Sequence, residues 1–256
     1  HTRTGRFWAY VGDRRNPYVV YDYTPSRKRD GPAEFLKDYQ GYLQADAFGG
    51  YDGIYTGSAG KIIEVGCWAH ARRKFFEAKE TASQLAHEAL ARIGQLYALE
   101  RQAQEAQLAP EQTQSLRQEK SLPLLVSFRP WLDALREKTL PKSPLGTAAR
   151  YALNNWDALI RYCEDGELAI DNNLAERAVK PCALGRKNWI FCGSDGGGRT
   201  AAILFSLTGS AKRHGVDPFA WLRHVLDQLP LLRAAGDSTA DEHLRPLLPD
   251  VWAAAV

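Results

Sequence analysis

Aromatic and β-branched residues crowd the first part of the chain in short runs that are broken by turn-forming residues. Two runs, "RFWAYVG" at 6–12 and "YVVYDY" at 18–23, are joined by "DRRNP" and therefore predict a β-hairpin. After a short helix predicted in "AEFLKDY", two further runs at about 42–46 and 61–65 predict two more short strands. We expect these four strands to form one mixed sheet.

The hydrophobic period becomes helical after the fourth predicted strand. Leu85, Ala89, Ile93 and Leu96 recur at the three- and four-residue spacing that places side chains on one face of a helix. Prolines at 110, 123, 130, 141 and 144 then divide the sequence into further helical pieces. The pattern predicts an all-helical block at about 80–160, inserted into an α/β body.

The remainder of the chain returns to a mixed pattern and ends in helices. "DNNLAERAVK" predicts a short helix that ends at Pro181, "NWIFC" an extended segment, and "RTAAILFSLTGSAKR" an apolar helix. The predicted organisation is therefore 1–79, 80–160, 161–215 and a helical C-terminal segment, 216–256. The fold class is mixed α/β with a large helical insertion.

The composition is typical of a globular protein without a membrane span, and the clustering of positive charge indicates a polyanionic partner. A length of 256 residues with 45% hydrophobic content can bury a large core. No run reaches the roughly 18 apolar residues of a membrane span, and four scattered cysteines show no disulfide framework, so we expect a cytoplasmic protein without a membrane partner. The net charge is only +3, but lysine and arginine occur in pairs and triplets, which favours a polyanion over a merely solvated surface.

A glycine-rich stretch, "GSDGGGRT" at 193–200, nearly matches the phosphate-binding pattern G-x-x-x-x-G-K-[ST], with Arg199 in place of lysine. A nucleotide-binding loop needs a parallel sheet built by later βαβ units, and the sequence after Thr200 is helical instead. The lysine ammonium that reaches between phosphates is also missing. The pattern favours a tight turn into a helix, and we expect no nucleotide cofactor.

Two acidic residues are the better candidates for chemistry. Asp46 ends the strand predicted in "GYLQAD", and Glu176 lies inside "DNNLAERAVK" on one helical face with Asn172 and Asn173. Carboxylate oxygens are the ligands that hard divalent cations prefer. The alternative is structural, because Asp46 fits a turn and Asn173 with Glu176 fits a capping box.

Long stretches of the sequence resemble transposases of the insertion sequence sixty-six family. The blocks are "GYLQADAFGGYDGIY", "EVGCWAHARRKFFEA", "AIDNNLAERAVKPCALGRKNWIFCGSDGGGRTAAILFSL" and "LLPDVW". The resemblance implies an RNase H-like sheet, an Asp-Asp-Glu triad, and two Mg²⁺ or Mn²⁺ ions. By motif, Asp46 is similar to the second acid and Glu176 to the third, with 129 residues between them.

The first aspartate of the triad is expected on a strand upstream of "TRTGRFWAYV", and the chain begins at His1 without it. In an RNase H-like sheet that strand is central. With no methionine in the sequence either, we expect a fragment of a DNA transposase that is inactive on its own. The alternatives are a non-catalytic fragment for DNA binding or assembly and, less favoured, a P-loop NTPase.

The resemblance also assigns the remaining candidate residues. Cys67 and His70 match a C-x-x-H signature expected beside the active site; a zinc site would need two further ligands at suitable spacing. The predicted DNA contacts come from two basic groups that follow these motifs: Arg72, Arg73, Lys74, and Arg186, Lys187, Arg199. The implied partners are the element ends and target DNA, further copies of the chain on DNA, and helper proteins of the same element in a bacterial cytoplasm.

Overall fold

The computed structural model describes residues 4–28, 30–45, 51–234 and 241–255. The chain packs as two compact units: unit 1 is formed by His1–Gly31 with Leu174–Val256, and unit 2 by Pro32–Asn173. Within the described ranges, no helix is both long and apolar enough to cross a membrane.

The regular elements alternate at first and are then helical. The strands are β1 (Arg6–Val11), β2 (Val19–Thr24), β3 (Gly41–Gln44) and β4 (Ile62–Val65). The helices are α1 (Asp30–Phe35), α2 (Asp52–Gly57), α3 (Trp68–Glu77), α4 (Ser83–Glu105), α5 (Pro110–Leu116), α6 (Leu122–Lys138), α7 (Pro144–Asn154), α8 (Trp156–Ile160), α9 (Asn173–Trp189), α10 (Asp195–Arg213), α11 (Pro218–Ala234), α12 (Asp241–Leu244) and α13 (Pro249–Ala255).

Unit 1 is built on the predicted hairpin. β1 and β2 pair antiparallel, with Val11 opposite Val19 and Ala9 opposite Tyr21. Helix α10 lies along the outer edge of β2, where Ser210 Oγ accepts from Val19 N over 3.1 Å and donates to Val19 O over 3.0 Å. One turn earlier, Ser206 Oγ accepts from Tyr21 N over 2.8 Å. Helix hydroxyls therefore satisfy backbone groups that another strand would otherwise pair.

Unit 2 contains a short parallel sheet and most of the helices. β3 and β4 pair parallel, as the intervening helix α2 permits, because parallel neighbours need a crossover connection. The helices bury a continuous apolar core whose large members, each at most 2% exposed, include Trp68, Tyr162, Phe75, Phe128, Ile93 and Leu132. Trp68 also donates its indole N–H to Leu159 O over 2.8 Å, so its one polar atom is satisfied inside the core.

A buried arginine joins three parts of unit 2. Arg117 begins a π-helical turn, Arg117–Ser121, that connects α5 to α6, and it is 3% exposed. Its guanidinium donates to both carboxylate oxygens of Glu100, over 2.9 and 2.6 Å, and to the carbonyls of Tyr162 and Asp165, each over 2.8 Å. The planar donor fork of arginine suits this combination of a bidentate carboxylate and two carbonyls.

The fold class and the helical block are as predicted, but the sheet is not. All four strands form where expected, and residues 83–160 are helical with short connections. The described strands form two two-stranded sheets rather than one mixed sheet. Sequence patterns mark strands but not their partners, and the hydroxyls of α10 that occupy the edge of β2 have no signature in the strand sequence. The four predicted domain boundaries stay a prediction.

Two of the proline predictions were right and two were wrong. Pro110 and Pro144 begin α5 and α7, where the missing N–H of proline costs nothing. Pro130 and Pro181, in contrast, lie inside α6 and α9, so "NWIFC" begins as helix and α9 continues to Trp189. Both prolines are exposed, as are the residues four positions earlier, so water can bond the carbonyls that proline leaves without a donor.

Candidate functional site

Glu176 lies in the first turn of α9, and its side chain is exposed. The helix begins at Asn173, whose backbone N–H and side-chain amide donate to Asp171 over 3.1 and 2.7 Å. The first N–H groups of a helix lack partners within the helix, so the Asp171 carboxylate stabilises this start. The capping alternative for Glu176 stays a prediction.

Asp171 is itself held by a tyrosine from the helical block. Tyr97, on α4, donates its hydroxyl to Asp171 Oδ2 over 2.9 Å. Burial, and then the neighbouring carboxylate, raise the pKa of Tyr97 well above its ordinary value. The phenol therefore stays protonated and remains a donor. Sequence reasoning missed both residues, since they lie 74 positions apart and neither stands in a catalytic pattern.

Asp46 lies outside the described residues, so the nearest informative side chain is that of Gln44 at the end of β3. Its amide donates to Gly66 O over 3.1 Å and to Ala169 O over 2.7 Å. Gly66 follows β4, and Ala169 lies two residues before Asp171. A single amide therefore links the ends of both parallel strands to the segment that leads into α9.

Cys67 and His70 are adjacent, as the C-x-x-H spacing predicts. His70 Nδ1 lies 3.2 Å from Cys67 Sγ, and the backbone N–H of Asn172 donates to the same sulfur over 3.2 Å. The thiol is 1% exposed, and burial raises its pKa, which disfavours a reactive thiolate. In the parts of the chain that the structure describes, no group of three or more His, Cys, Asp or Glu could hold a metal ion. Cys67 therefore serves as a buried acceptor that ties α3 to the segment before α9.

The three residues of the first basic group, on α3, differ in how exposed they are. Arg72 and Arg73 are exposed, whereas Lys74 is half-buried and places its ammonium 4.8 Å from the centre of the Tyr151 ring. A cation over an aromatic face is already stabilised there. Arg72 and Arg73 are thus better placed than Lys74 to bind phosphate.

The second basic group belongs to unit 1 and is exposed throughout. Arg186 and Lys187 lie in the last turn of α9, and Arg199 lies near the start of α10. The segment 177–199 carries five basic residues, with Arg177 and Lys180 as the other two, and one acid, Asp195. Its formal charge of +4 exceeds that of the whole chain.

The glycine-rich stretch begins α10 and packs against the hairpin. Ser194 Oγ accepts from Gly197 N over 3.1 Å, and Ser194 O accepts from Gly198 N over 3.0 Å, so two amides that a phosphate loop would use are already bonded. Tyr23 donates its hydroxyl to Asp195 over 2.7 Å. A Cβ at Gly198 would collide with the Tyr23 ring, and one at Gly197 with the carbonyl of Cys192.

These contacts bear on whether the glycine-rich stretch is a nucleotide-binding loop or a tight turn into a helix. The glycines permit close packing of a helix start against β2, and the carboxylate of Asp195 occupies the first turn where a phosphate would bind. Residues 190–192, before the turn, are irregular rather than a strand. The structure therefore favours the turn into a helix over a nucleotide-binding loop.

Known proteins resemble nearly the whole chain. It is 34% identical over 248 residues to the uncharacterized protein y4hP of Sinorhizobium fredii (strain NBRC 101917 / NGR234), an alignment that covers 88% of this chain and 44% of the relative. Two other uncharacterized proteins of this organism are similar: y4qI, 37% identical over 235 residues (87% and 43% covered), and y4jD, 33% identical over 264 (99% and 50%). The chain thus spans about half the length of these relatives. No solved structure gives a significant match.

Two family profiles match consecutive parts of the sequence. Residues 1–200 match the family described as "Transposase IS66 family", and residues 206–249 match the "IS66 C-terminal element". The first profile includes both candidate acids, the C-x-x-H pair and all six predicted DNA-contacting residues. The chain belongs to the IS66 family of transposases.

Proposed function

We propose that the chain is the catalytic region of a DNA transposase, which cleaves and joins DNA strands with Asp46 and Glu176 as metal-binding acids. The observation that carries this proposal is the pair of hydrogen bonds made by Gln44. Asp46 follows Gln44 by two residues, and Glu176 follows Ala169 by seven. The bond between Gln44 and Ala169 therefore holds the end of β3 beside the segment that precedes α9, both within unit 2.

The donor set suits Mg²⁺ or Mn²⁺ and not a softer ion. Both proposed ligands are carboxylates, and the Glu176 side chain is exposed at a helix start, where it can reach an ion. A pair of such ions would activate the attacking hydroxyl and stabilise the leaving oxygen in phosphoryl transfer. Cys67 fits less well, because its buried sulfur already accepts from Asn172.

Other residues would position the acids and the DNA. Tyr97 and Asn173 both donate to Asp171, and these bonds hold the segment of unit 2 that leads into α9. Arg72 and Arg73, on α3, have exposed guanidinium groups suited to phosphate oxygens. Arg186, Lys187 and Arg199 would add phosphate contacts from the strongly basic segment 177–199, at both element ends and target.

The edge of β1 supports an RNase H-like sheet with an additional strand. Among the described strands, β1 pairs only with β2. Val19 and Tyr21 direct their N–H groups to α10, and antiparallel strands alternate, so their partners Val11 and Ala9 direct their own backbone groups away from β2. That edge of β1 can accept a strand, and we propose that this strand carries the first aspartate of the triad.

The decisive experiment uses the coding region extended to the length of the relatives, assayed for Mg²⁺- or Mn²⁺-dependent cleavage and joining of element-end DNA in vitro. Asp46→Asn and Glu176→Gln should each abolish activity while DNA binding persists. Glu111→Gln is the matched control, because Glu111 is likewise an exposed glutamate in the first turn of a helix, α5. It should leave activity unchanged.

The same experiment separates the competing functions. Full activity with Glu176→Gln would assign Glu176 to helix capping, because glutamine closes the same hydrogen bond. DNA binding without any metal-dependent cleavage in the extended chain would indicate the non-catalytic assembly role instead. We further propose that the active protein assembles as several copies on DNA in the bacterial cytoplasm, with helper proteins of the same element.

A further inference from the structure

Unit 1 contains an apolar groove beside the most basic segment of the chain. The groove has a volume of about 390 Å³ and lies between the end of α9 and residues 197–208 of α10. Three aromatic rings line it, those of Trp189, Phe191 and Phe205, together with Leu204 and the small residues Gly197 and Ala201. The groove is therefore apolar and rich in aromatic rings, a lining on which a flat ring can stack.

The aromatic side chains are held open to solvent. Phe191 is 69% exposed and Trp189 is 36% exposed, whereas tryptophan rings are usually well buried. The indole of Trp189 folds back over Gly185, where an added Cβ would lie only 2.7 Å from Nε1. Ile190, between the two rings, has a φ of 63°, a left-handed conformation that is costly for a β-branched residue. The chain therefore accepts backbone strain to place two rings at the surface.

Basic residues lie close in sequence to these rings. Arg186 lies one helical turn before Trp189, so the two residues share one side of α9. Lys187 is beside Arg186, and Arg199 is at the start of α10, two residues before Ala201 of the groove. The one acid in the segment, Asp195, accepts from Tyr23.

We propose that this groove binds an unpaired DNA base, which stacks on Trp189 or Phe191 while Arg186, Lys187 and Arg199 contact the flanking phosphates. The inference rests on the proposed function for its substrate, DNA, and adds the recognition of a single-stranded or unstacked nucleotide. Exposed aromatic platforms within a basic surface are the arrangement by which proteins bind single strands, because every base has a face that can stack.

A second copy of the chain fits the groove less well. Two identical surfaces would bring two segments of formal charge +4 together, and like charges at an interface are costly. A DNA strand carries the opposite charge at each phosphate and a flat ring at each nucleotide. Both the charge and the shape of the groove therefore favour a DNA strand over a second copy of the chain.

The test uses a single-stranded oligonucleotide of roughly 12 nucleotides, within the range of known binding sites, with one 2-aminopurine among thymines. Stacking quenches the fluorescence of 2-aminopurine, so the unaltered chain should quench it on binding. Trp189→Phe, which retains an aromatic ring, should preserve most of the quenching. Trp189→Leu and Phe191→Leu, which retain only apolar bulk, should weaken binding about 5- to 150-fold and remove most of the quenching, as expected for about 1–3 kcal/mol per stacked base.

A matched control and a salt series complete the design. Phe219→Leu alters a similarly exposed ring on α11 that does not line the groove, and it should change neither binding nor quenching. Arg186→Ala should reduce the slope of log affinity against log salt by about 0.7, the value for one phosphate contact on a single strand.

Each outcome decides one hypothesis. Equal affinity and quenching for Trp189→Leu and Trp189→Phe would overturn the base-stacking proposal while leaving the proposed transposase function intact. A change of oligomeric state in Trp189→Leu without a change in quenching would assign the groove to a second copy. Asp46→Asn and Glu176→Gln variants that lose metal-dependent cleavage but retain quenching would support the catalytic proposal independently of the groove.

Discussion

The two units differ in how completely they bury their own apolar side chains. Unit 2 encloses a continuous core in which Trp68, Ile93 and Leu132 have no exposed surface. Unit 1 has small clusters around Tyr21 and Trp221. Its exposed large apolar residues include Leu174, Leu184, Ile190, Phe191, Ile203, Leu204, Phe219, Leu226 and Leu231. Unit 2 therefore gains stability from a large buried core, whereas unit 1 leaves large apolar side chains accessible to a binding partner.

The two units also differ in how far they bury polar and charged groups. Unit 2 buries Arg117, which pairs with the partly buried Glu100 and donates from Nη1 to the carbonyls of Tyr162 and Asp165. Unit 1 uses serine hydroxyls at the edge of β2, and its described arginines and lysines are exposed except for Arg213, which is half-buried and donates to the carbonyls of Gly12 and Pro17. A buried pair resists change, and an exposed charge is available to a partner. The difference predicts where substitutions damage folding and where they damage binding.

The largest effect on stability should come from Arg117→Met. Removing the guanidinium leaves the Glu100 carboxylate and the carbonyls of Tyr162 and Asp165 without this partner inside unit 2. Breaking a buried pair from one side costs about 3–5 kcal/mol, which urea denaturation followed by circular dichroism would detect.

Arg136→Met is the matched control, because Arg136 pairs with Asp133 at the surface, 43% exposed. Exposed pairs contribute about 0–1 kcal/mol, so this variant should unfold near the midpoint of the unaltered chain. Similar losses in both variants would show that Arg117 contributes no more than a surface charge, and the contrast between the units would then fail.

A smaller effect is expected from Ser210→Ala in unit 1. Ser210 is 5% exposed, and its loss leaves the buried N–H of Val19 without its acceptor at the edge of β2. Such a group costs about 1–3 kcal/mol. Ser127→Ala, which removes an exposed hydroxyl bonded only to Leu124 O in its own helix, should change the free energy of unfolding by less than about 0.5 kcal/mol.

The sequence allowed prediction of the elements that local pattern determines. The strands follow from aromatic and β-branched runs, and the helical block from the recurrence of Ala89, Ile93 and Leu96, which are all buried on α4. The strand pairing did not follow, because Ser206 and Ser210 look like ordinary helix positions until α10 is placed on β2. Pro130 and Pro181 were misread as breaks because their exposure, which makes them tolerable, is a tertiary property.

In the candidate site, the sequence allowed prediction only of residues that lie within recognisable motifs. The contact of Cys67 with His70 follows from their spacing at a helix start. Arg186, Lys187 and Arg199 are exposed, and their contacts with DNA stay a prediction. Asp171 and Tyr97 were missed, since only folding brings α4 to the start of α9. The metal-binding roles of Asp46 and Glu176 stay predictions.

The attachment of α13 in unit 1 should depend on pH. Tyr18 donates its hydroxyl to Asp250 over 2.6 Å, and this bond lowers the pKa of Asp250. A lowered pKa stabilises the fold above the unfolded value of about 3.9, and the stabilisation is lost as pH falls through the folded value. Tyr18→Phe should therefore cost less than about 1 kcal/mol at pH 7, since Asp250 is exposed, and should cost less at pH 2, where the carboxyl takes up its proton.

Urea titrations of both proteins at pH 7 and pH 2 would measure this difference. A cost that persists unchanged at pH 2 would assign the contribution of Tyr18 to its ring, which lies 4.7 Å from the ring of His214, and not to the carboxylate.

The smallest predicted change has the opposite sign. Ile190 ends α9 in a left-handed conformation, its N–H donating to Arg186 O over 2.8 Å, at the position where helices usually place glycine. The side chain is 70% exposed, so Ile190→Gly removes strain of about 1–2 kcal/mol and sacrifices little burial, while glycine costs about 0.5–1 kcal/mol of backbone entropy. We expect a net gain in stability of roughly 0.5–1 kcal/mol, measured by urea denaturation.

The same variant should lose quenching of the 2-aminopurine oligonucleotide, because a glycine turn no longer restricts the ring of Phe191 to the groove. Sites used for binding commonly retain residues that reduce stability. Gly193→Ala supplies the opposite control: Gly193 has a φ of 76° with open space around its Cβ, so alanine there adds strain without blocking the groove. If Ile190→Gly raised stability and left quenching unchanged, the strained turn would have no part in binding, and the exposed surface of unit 1 would need another explanation.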